Sequence, residues 1–287
     1  MRIMLVTTLL LSLTGSPVVA QVNLNLPTEP RHVVDLPRRG PQSGAALFSP
    51  PGPGPHPAIV LSHTCAGLLE HVFEWAARAI EAGYVALIID HLGPRSVKSN
   101  CPHNNSVSVT EYAKDAVAGM KHLRSLPFVD GGRIAHMGFS YGAMAGLRAA
   151  RAAFRSKHLD SERFNAIIAM YPWCNQHEGR GGDHQTNFFD DTDVPLLLIL
   201  GEDDDEASPY SCIQQAKKNA ERGLPATYKV YPKTTHAFDR SFMKDKPFEQ
   251  RLGNRTVIYR YNESTVRESW RESVAFFALH LGPKKIQ

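Results

Sequence analysis

Residues 133–150 read Arg133-Ile134-Ala135-His136-Met137-Gly138-Phe139-Ser140-Tyr141-Gly142-Ala143-Met144-Ala145-Gly146-Leu147-Arg148-Ala149-Ala150. An apolar run, a sharp turn and a run of small residues give strand, turn and helix. Gly138, Ser140 and Gly142 stand in G-x-S-x-G spacing. Such a turn forces its central residue into a strained backbone conformation and lifts that side chain above the sheet. A side chain two positions before or after would collide across the turn, so glycine stands there. The following helix aims its N-terminal N–H groups at the same place, where they favour negative charge. A serine hydroxyl alone is a poor nucleophile. The reading therefore requires a histidine base and an acid that orients it.

Outward from this turn, apolar strands alternate with amphipathic helices. Ala58–Ser62, Val85–Asp90, Ile134–Phe139, Ala166–Met170, Pro195–Leu200 and Ala226–Tyr231 are the strand runs. Helical spacing covers Glu70–Ala82, a segment capped by Thr110, Ser208–Arg222 before Gly223, and a last helix capped by Ser264 and ending near Leu281. Two short strands near 32–36 and 45–48 form an antiparallel edge, and the proline-rich run 50–57 is a surface loop. The pattern is α/β: a mostly parallel sheet of about eight strands with helices on both faces. The segment Asp239 to Asn262 reads as an irregular charged insertion, a candidate lid.

Functional residues of such sheets gather at the C-terminal ends of the strands. Ser140 lies at one. Asp204 follows the Pro195–Leu200 strand, within Gly201-Glu202-Asp203-Asp204-Asp205, and His236 follows the last strand within Thr234-Thr235-His236-Ala237-Phe238. The order Ser, Asp, His is that of a nucleophile–acid–base triad on this architecture. His236 would move the Ser140 proton and Asp204 would hold the imidazole. Two backbone amides are needed for a tetrahedral oxyanion. Tyr141, just after the nucleophile, offers one, and Cys65, in the turn after the Ala58–Ser62 strand, offers the other.

The chain has 287 residues, 43% hydrophobic, enough for one large α/β domain or two small ones. No boundary marks a second domain, so 21–287 is taken as one. Residues 1–20 have the order of a secretory signal: Arg2, an apolar stretch from Ile3 to Leu13, and Val18-Val19-Ala20 before a cut. The alternative is an uncleaved anchor, although the stretch is short for a bilayer. The formal charge is +4 and scattered, which argues against nucleic acid. No other run is long and apolar enough to cross a membrane. The exported part keeps four cysteines, Cys65, Cys101, Cys174 and Cys212. In an oxidising compartment an even count suggests disulfides, with three pairings open. No C-x-x-C occurs, so no zinc cluster is expected. His177, Asp183 and His184 have only weak metal-ligand spacing, and neither metal nor cofactor is expected.

Several stretches carry a resemblance: His63-Thr64-Cys65-Ala66-Gly67, Asp90-His91-Leu92-Gly93-Pro94-Arg95, Gly138-Phe139-Ser140-Tyr141-Gly142, Tyr171-Pro172-Trp173-Cys174, Gly201-Glu202-Asp203-Asp204-Asp205 and His236-Ala237-Phe238. Together they resemble the dienelactone hydrolase family of α/β-hydrolases, especially its exported bacterial branch, over about residues 30–282. The resemblance implies the α/β-hydrolase fold and a cofactor-free hydrolase of small-molecule esters or lactones. It selects Asp204 over Asp203 and Asp205. It implies Cys65–Cys101 and Cys174–Cys212 bridges, and a secreted or periplasmic monomer or homodimer. It also points to Arg95 and Arg240 as holders of a substrate carboxylate. The chain departs from the family's best-known member, with Ser140 for a cysteine nucleophile and Thr64 for a glutamate. A non-catalytic binding protein or pseudoenzyme could keep the same fold, and an acyltransferase or peptidase could use the same triad.

Overall fold

The computed structural model describes residues 32–35, 44–101, 106–174 and 189–282. The signal segment, the residues up to Pro30 and the His177, Asp183, His184 group lie outside them.

Eight strands form one sheet: β1 His32–Asp35, β2 Gly44–Phe48, β3 His56–Ser62, β4 Val85–Asp90, β5 Val129–Phe139, β6 Ile167–Met170, β7 Leu196–Gly201 and β8 Ala226–Tyr231. Their order is β1-β2-β4-β3-β5-β6-β7-β8. β1 pairs antiparallel with β2, and β2 with β4; every later neighbour pair is parallel. β3 is buried along its whole length, which is why its sequence reads as a continuous apolar run. Alternate residues serve opposite faces. Val60, Leu87 and Leu198 join one core with Met120 and Leu123; Ile59, Leu61 and Ile88 join the other with Trp75 and Phe277.

The helices are α1 Glu70–Glu81, α2 Val109–Arg124, α3 Tyr141–Ala150, α4 Ala152–His158, α5 Pro209–Glu221 and α6 Glu263–Leu281. Two caps differ from expectation. Ser108, not Thr110, starts α2: its hydroxyl accepts from the Glu111 amide at 3.2 Å. The run Ser108-Val109-Thr110-Glu111 is a capping-box sequence, so two candidate hydroxyls compete and the one with glutamate three residues on wins. Asn262, not Ser264, starts α6, accepting from the Thr265 amide at 3.1 Å. Ser264 instead bonds to the Asn262 side chain.

The insertion 239–262 is also not irregular. After a short 3-10 turn at Ser241–Met243 it forms an antiparallel hairpin, β9 Phe248–Leu252 and β10 Arg255–Tyr259. Gly253 and Asn254 turn it, Gly253 at φ 61°. No helix among the described residues is long and apolar enough to cross a membrane.

Candidate active site

Ser140 ends β5 and starts α3 with φ 50° and ψ −110°, a region closed to most side-chain-bearing residues. The flanking glycines explain how the chain passes so tightly. A Cβ on Gly138 would drive into the Gly142 carbonyl, and one on Gly142 into the carbonyls of Ser62 and His63. The motif thus packs the turn directly against the end of β3.

Three side chains distant in sequence meet there. His236 Nε2 lies 3.0 Å from Ser140 Oγ, and His236 Nδ1 lies 2.7 Å from Asp204 Oδ2. The other Asp204 oxygen accepts the amides of Glu206, at 3.0 Å, and Ala207, at 2.7 Å. With both oxygens occupied, the carboxylate keeps its aim at the ring. Asp203 and Asp205 make no such contact: the Asp203 amide donates back to Thr234 O at 3.0 Å. Burial alone would push the His236 pKa down, but the Asp204 and Glu206 carboxylates raise it to about 9. Below the ring, Tyr171 packs edge-on, centroids 4.8 Å apart. Its hydroxyl donates to Asp239 at 2.8 Å, as does the Trp75 indole N–H. Burial raises the Asp239 pKa against those two bonds.

The amides of Tyr141 and Cys65 donate to no acceptor among the described residues. The Thr64–Cys65 peptide is held by its other end. His63 Nδ1 lies 2.6 Å from the Thr64 carbonyl, and His63 Nε2 accepts the His91 amide at 3.0 Å. The second bond puts the ring proton on Nδ1, which therefore donates. The Cys65 carbonyl accepts the Asn100 amide at 2.7 Å, and Cys65 is bridged to Cys101. The second bridge joins Cys174 to Cys212, so all four cysteines are paired.

The two arginines part company. Arg95 does not offer a free fork: its Nη1 and Nη2 donate to the two Asp115 oxygens at 2.7 and 2.9 Å. Asp115 is buried, and releasing Arg95 would strip a buried carboxylate of its charged partner. Arg240 pairs with no carboxylate among the described residues. Its Nη2 reaches Thr64 Oγ1 at 3.3 Å, one residue from Cys65, and its Nε is buried without a partner.

Sequence reasoning missed Glu206. Its Oε2 lies 3.5 Å from His236 Nε2 and accepts the Tyr259 hydroxyl at 2.8 Å. The acidic run was visible, but the placing of a second carboxylate beside the histidine depends on Tyr259 of the unforeseen hairpin. Among the described residues no cluster of three or more His, Cys, Asp or Glu is placed to hold a metal ion.

Fold and site together define an α/β-hydrolase with a serine at the sharp turn between β5 and α3. The dienelactone hydrolase family profile matches residues 44–281, and the chain belongs to that family of carboxylic ester hydrolases. No curated protein matches it significantly. Solved structures that resemble it include a candidate dienelactone hydrolase of Klebsiella pneumoniae subsp. pneumoniae. That pair is 18% identical, over 86% of this chain and 97% of that one, with TM-score 0.65. A dienelactone hydrolase-like promiscuous phosphotriesterase, P91, from metagenomic libraries is 16% identical, over 87% and 97%, with TM-score 0.64. Thermogutta terrifontis esterase 2, phosphorylated by paraoxon, is 15% identical, over 88% and 96%, with TM-score 0.64. At these identities the likeness speaks for the fold.

Proposed function

We propose that this chain is an exported serine hydrolase that cleaves small carboxylic esters and lactones through a Ser140–His236–Asp204 triad. The Asp204–His236–Ser140 hydrogen-bond chain is the observation that carries this reading. In the first half-reaction Ser140 Oγ attacks the carbonyl carbon while His236 Nε2 takes its proton. The carbonyl π pair moves to oxygen, where the amides of Tyr141 and Cys65 receive the negative charge. Collapse breaks the bond to the leaving oxygen, which takes the proton from His236 and leaves as alcohol. A water then repeats the sequence on the acyl-serine and releases the acid. Asp204 holds the ring in the tautomer that accepts at Nε2 and stabilises the imidazolium. The unpaired Arg240 supports acyl groups that carry a carboxylate. The two disulfides support an extracellular or periplasmic setting, with residues 1–20 as the removed signal.

The test is a fluorophosphonate probe, followed by kinetics on a panel of esters and lactones with and without an acyl carboxylate. Wild type should label and the Ser140→Ala variant should not. Absence of labelling in folded wild type would return the chain to a binding role. Arg240→Ala should lower kcat/KM for carboxylated substrates alone. An equal loss on neutral ones would remove the anion preference.

A further inference from the structure

Proton transfer to the leaving oxygen fixes where the alcohol half of an ester must sit. That oxygen has to approach His236 Nε2 to within about 3 Å. Whatever else surrounds Nε2 therefore faces the alcohol and not the acyl group. Glu206 Oε2 is 3.5 Å from the same nitrogen. The carboxylate accepts the Tyr259 hydroxyl, and its side chain is 25% exposed. No lysine or arginine among the described residues forms an ion pair with it. The nearby Arg255 donates to the Glu206 main-chain carbonyl instead, at 3.4 Å. The hairpin that supplies Tyr259 also supplies Phe248, its ring 5.6 Å from that of Tyr259 and 42% exposed. Phe242, 57% exposed, follows at 6.5 Å from Phe248. A carboxylate with no lysine or arginine partner among the described residues, beside exposed aromatic rings, is a setting that attracts organic cations.

We propose that Glu206 is a specificity-determining residue that selects esters whose alcohol carries an ammonium group, quaternary ammonium included, a short spacer from the ester oxygen. The inference rests on the hydrolase reading above and extends it to the other half of the substrate. Arg240, at the Thr64–Cys65 end of the site, and Glu206, at the Nε2 end, then mark the two sides of the scissile bond with opposite charge. The cation is attracted while bound and while the tetrahedral intermediate collapses, and it leaves with the protonated alcohol. A carboxylate this exposed is screened, so the preference it confers is about tenfold.

The probe pair is the acetate ester of choline and 3,3-dimethylbutyl acetate, its uncharged carbon isostere. Wild type should show a kcat/KM ratio of about ten in favour of the cation, shrinking toward one as salt is raised to roughly 0.5 M. Glu206→Gln, which keeps an oxygen for Tyr259, should bring the ratio to about one. The wild-type comparison stands without the variant. Equal kcat/KM for the two esters in wild type overturns the inference and leaves the hydrolase reading intact. So does a Glu206→Gln variant that changes both rates by the same factor, as a group that merely tuned His236 would produce. Hydrolysis of neither ester, with no probe labelling, overturns both readings.

Discussion

Replacing His63 by alanine tests whether the oxyanion site is built from the main chain outward. His63 is fully buried and touches neither nucleophile nor base. It grips the carbonyl of the peptide whose amide belongs to Cys65, at 2.6 Å. Its loss leaves the His91 amide without its 3.0 Å acceptor, a cost of about 1–3 kcal/mol. The space vacated beside the stacked His91 and Tyr112 rings, whose centroids are 5.0 and 5.4 Å from that of His63, adds about 2–3 kcal/mol. The Thr64 carbonyl keeps only the Gly67 amide, at 3.3 Å. With the peptide free to rotate, one of two oxyanion donors is lost, which should lower kcat by about 10²–10³. The assay is kcat on a neutral ester well below the variant's Tm, with active sites counted by fluorophosphonate and folding checked by near-ultraviolet circular dichroism. Glutamine carries both a donor and an acceptor, so His63→Gln should recover kcat to within about tenfold of wild type. A folded His63→Ala protein with wild-type kcat would refute the reasoning: the bond would then support stability alone.

Asp204→Asn replaces the acceptor of the ring N–H by an amide and favours the wrong tautomer; kcat should fall by about 10³–10⁴, and a loss under tenfold would assign the acid elsewhere. Because His236 must be unprotonated to act and its pKa is raised to about 9, kcat/KM should climb with pH and level off only above that value. A plateau already reached at pH 7 contradicts the role given to the two carboxylates. Burial holds His91 at about 4 and His136 at about 3, and pushes His71 well below its ordinary value, further lowered by Arg240 and His63. Depressed histidines give stability that is full above pH 6.5 and is lost on acidification, because the unfolded chain binds protons the folded one refuses. Near pH 5 His91 and His136 should contribute a slope of about 2.5 kcal/mol per pH unit, which His71 steepens in the same direction, read from denaturant titrations; a flat profile between pH 7 and 5 would show that they titrate together with the unfolded chain.

Features written in local chemistry were legible beforehand. The elbow at 138–142, the buried parallel strands and the order of Ser140, Asp204 and His236 each follow from sterics or burial that neighbouring residues impose. The hairpin at 248–259 was hidden because charges interrupt its alternation, although Gly253-Asn254 was a turn signal. The partner of Arg95 was hidden for a different reason. A guanidinium takes whichever carboxylate the fold delivers, and Asp115 comes from another element, twenty residues along the chain. Helix starts were misplaced by two residues where two side chains of similar capping strength compete, as at Ser108 and Thr110 or Asn262 and Ser264.

Cys65 has two attachments to the rest of the molecule that answer to different chemistry. Its sulfur is joined to Cys101, while its amide is one of the two donors proposed for the oxyanion. A reductant that opens this bridge should leave Ser140 able to react with a phosphonate yet lower ester turnover, and unchanged turnover would separate the two attachments. Hydrolytic power would then be acquired late, after the thiols meet an oxidant. Newly made chains would be dormant toward the esters of the cell that builds them.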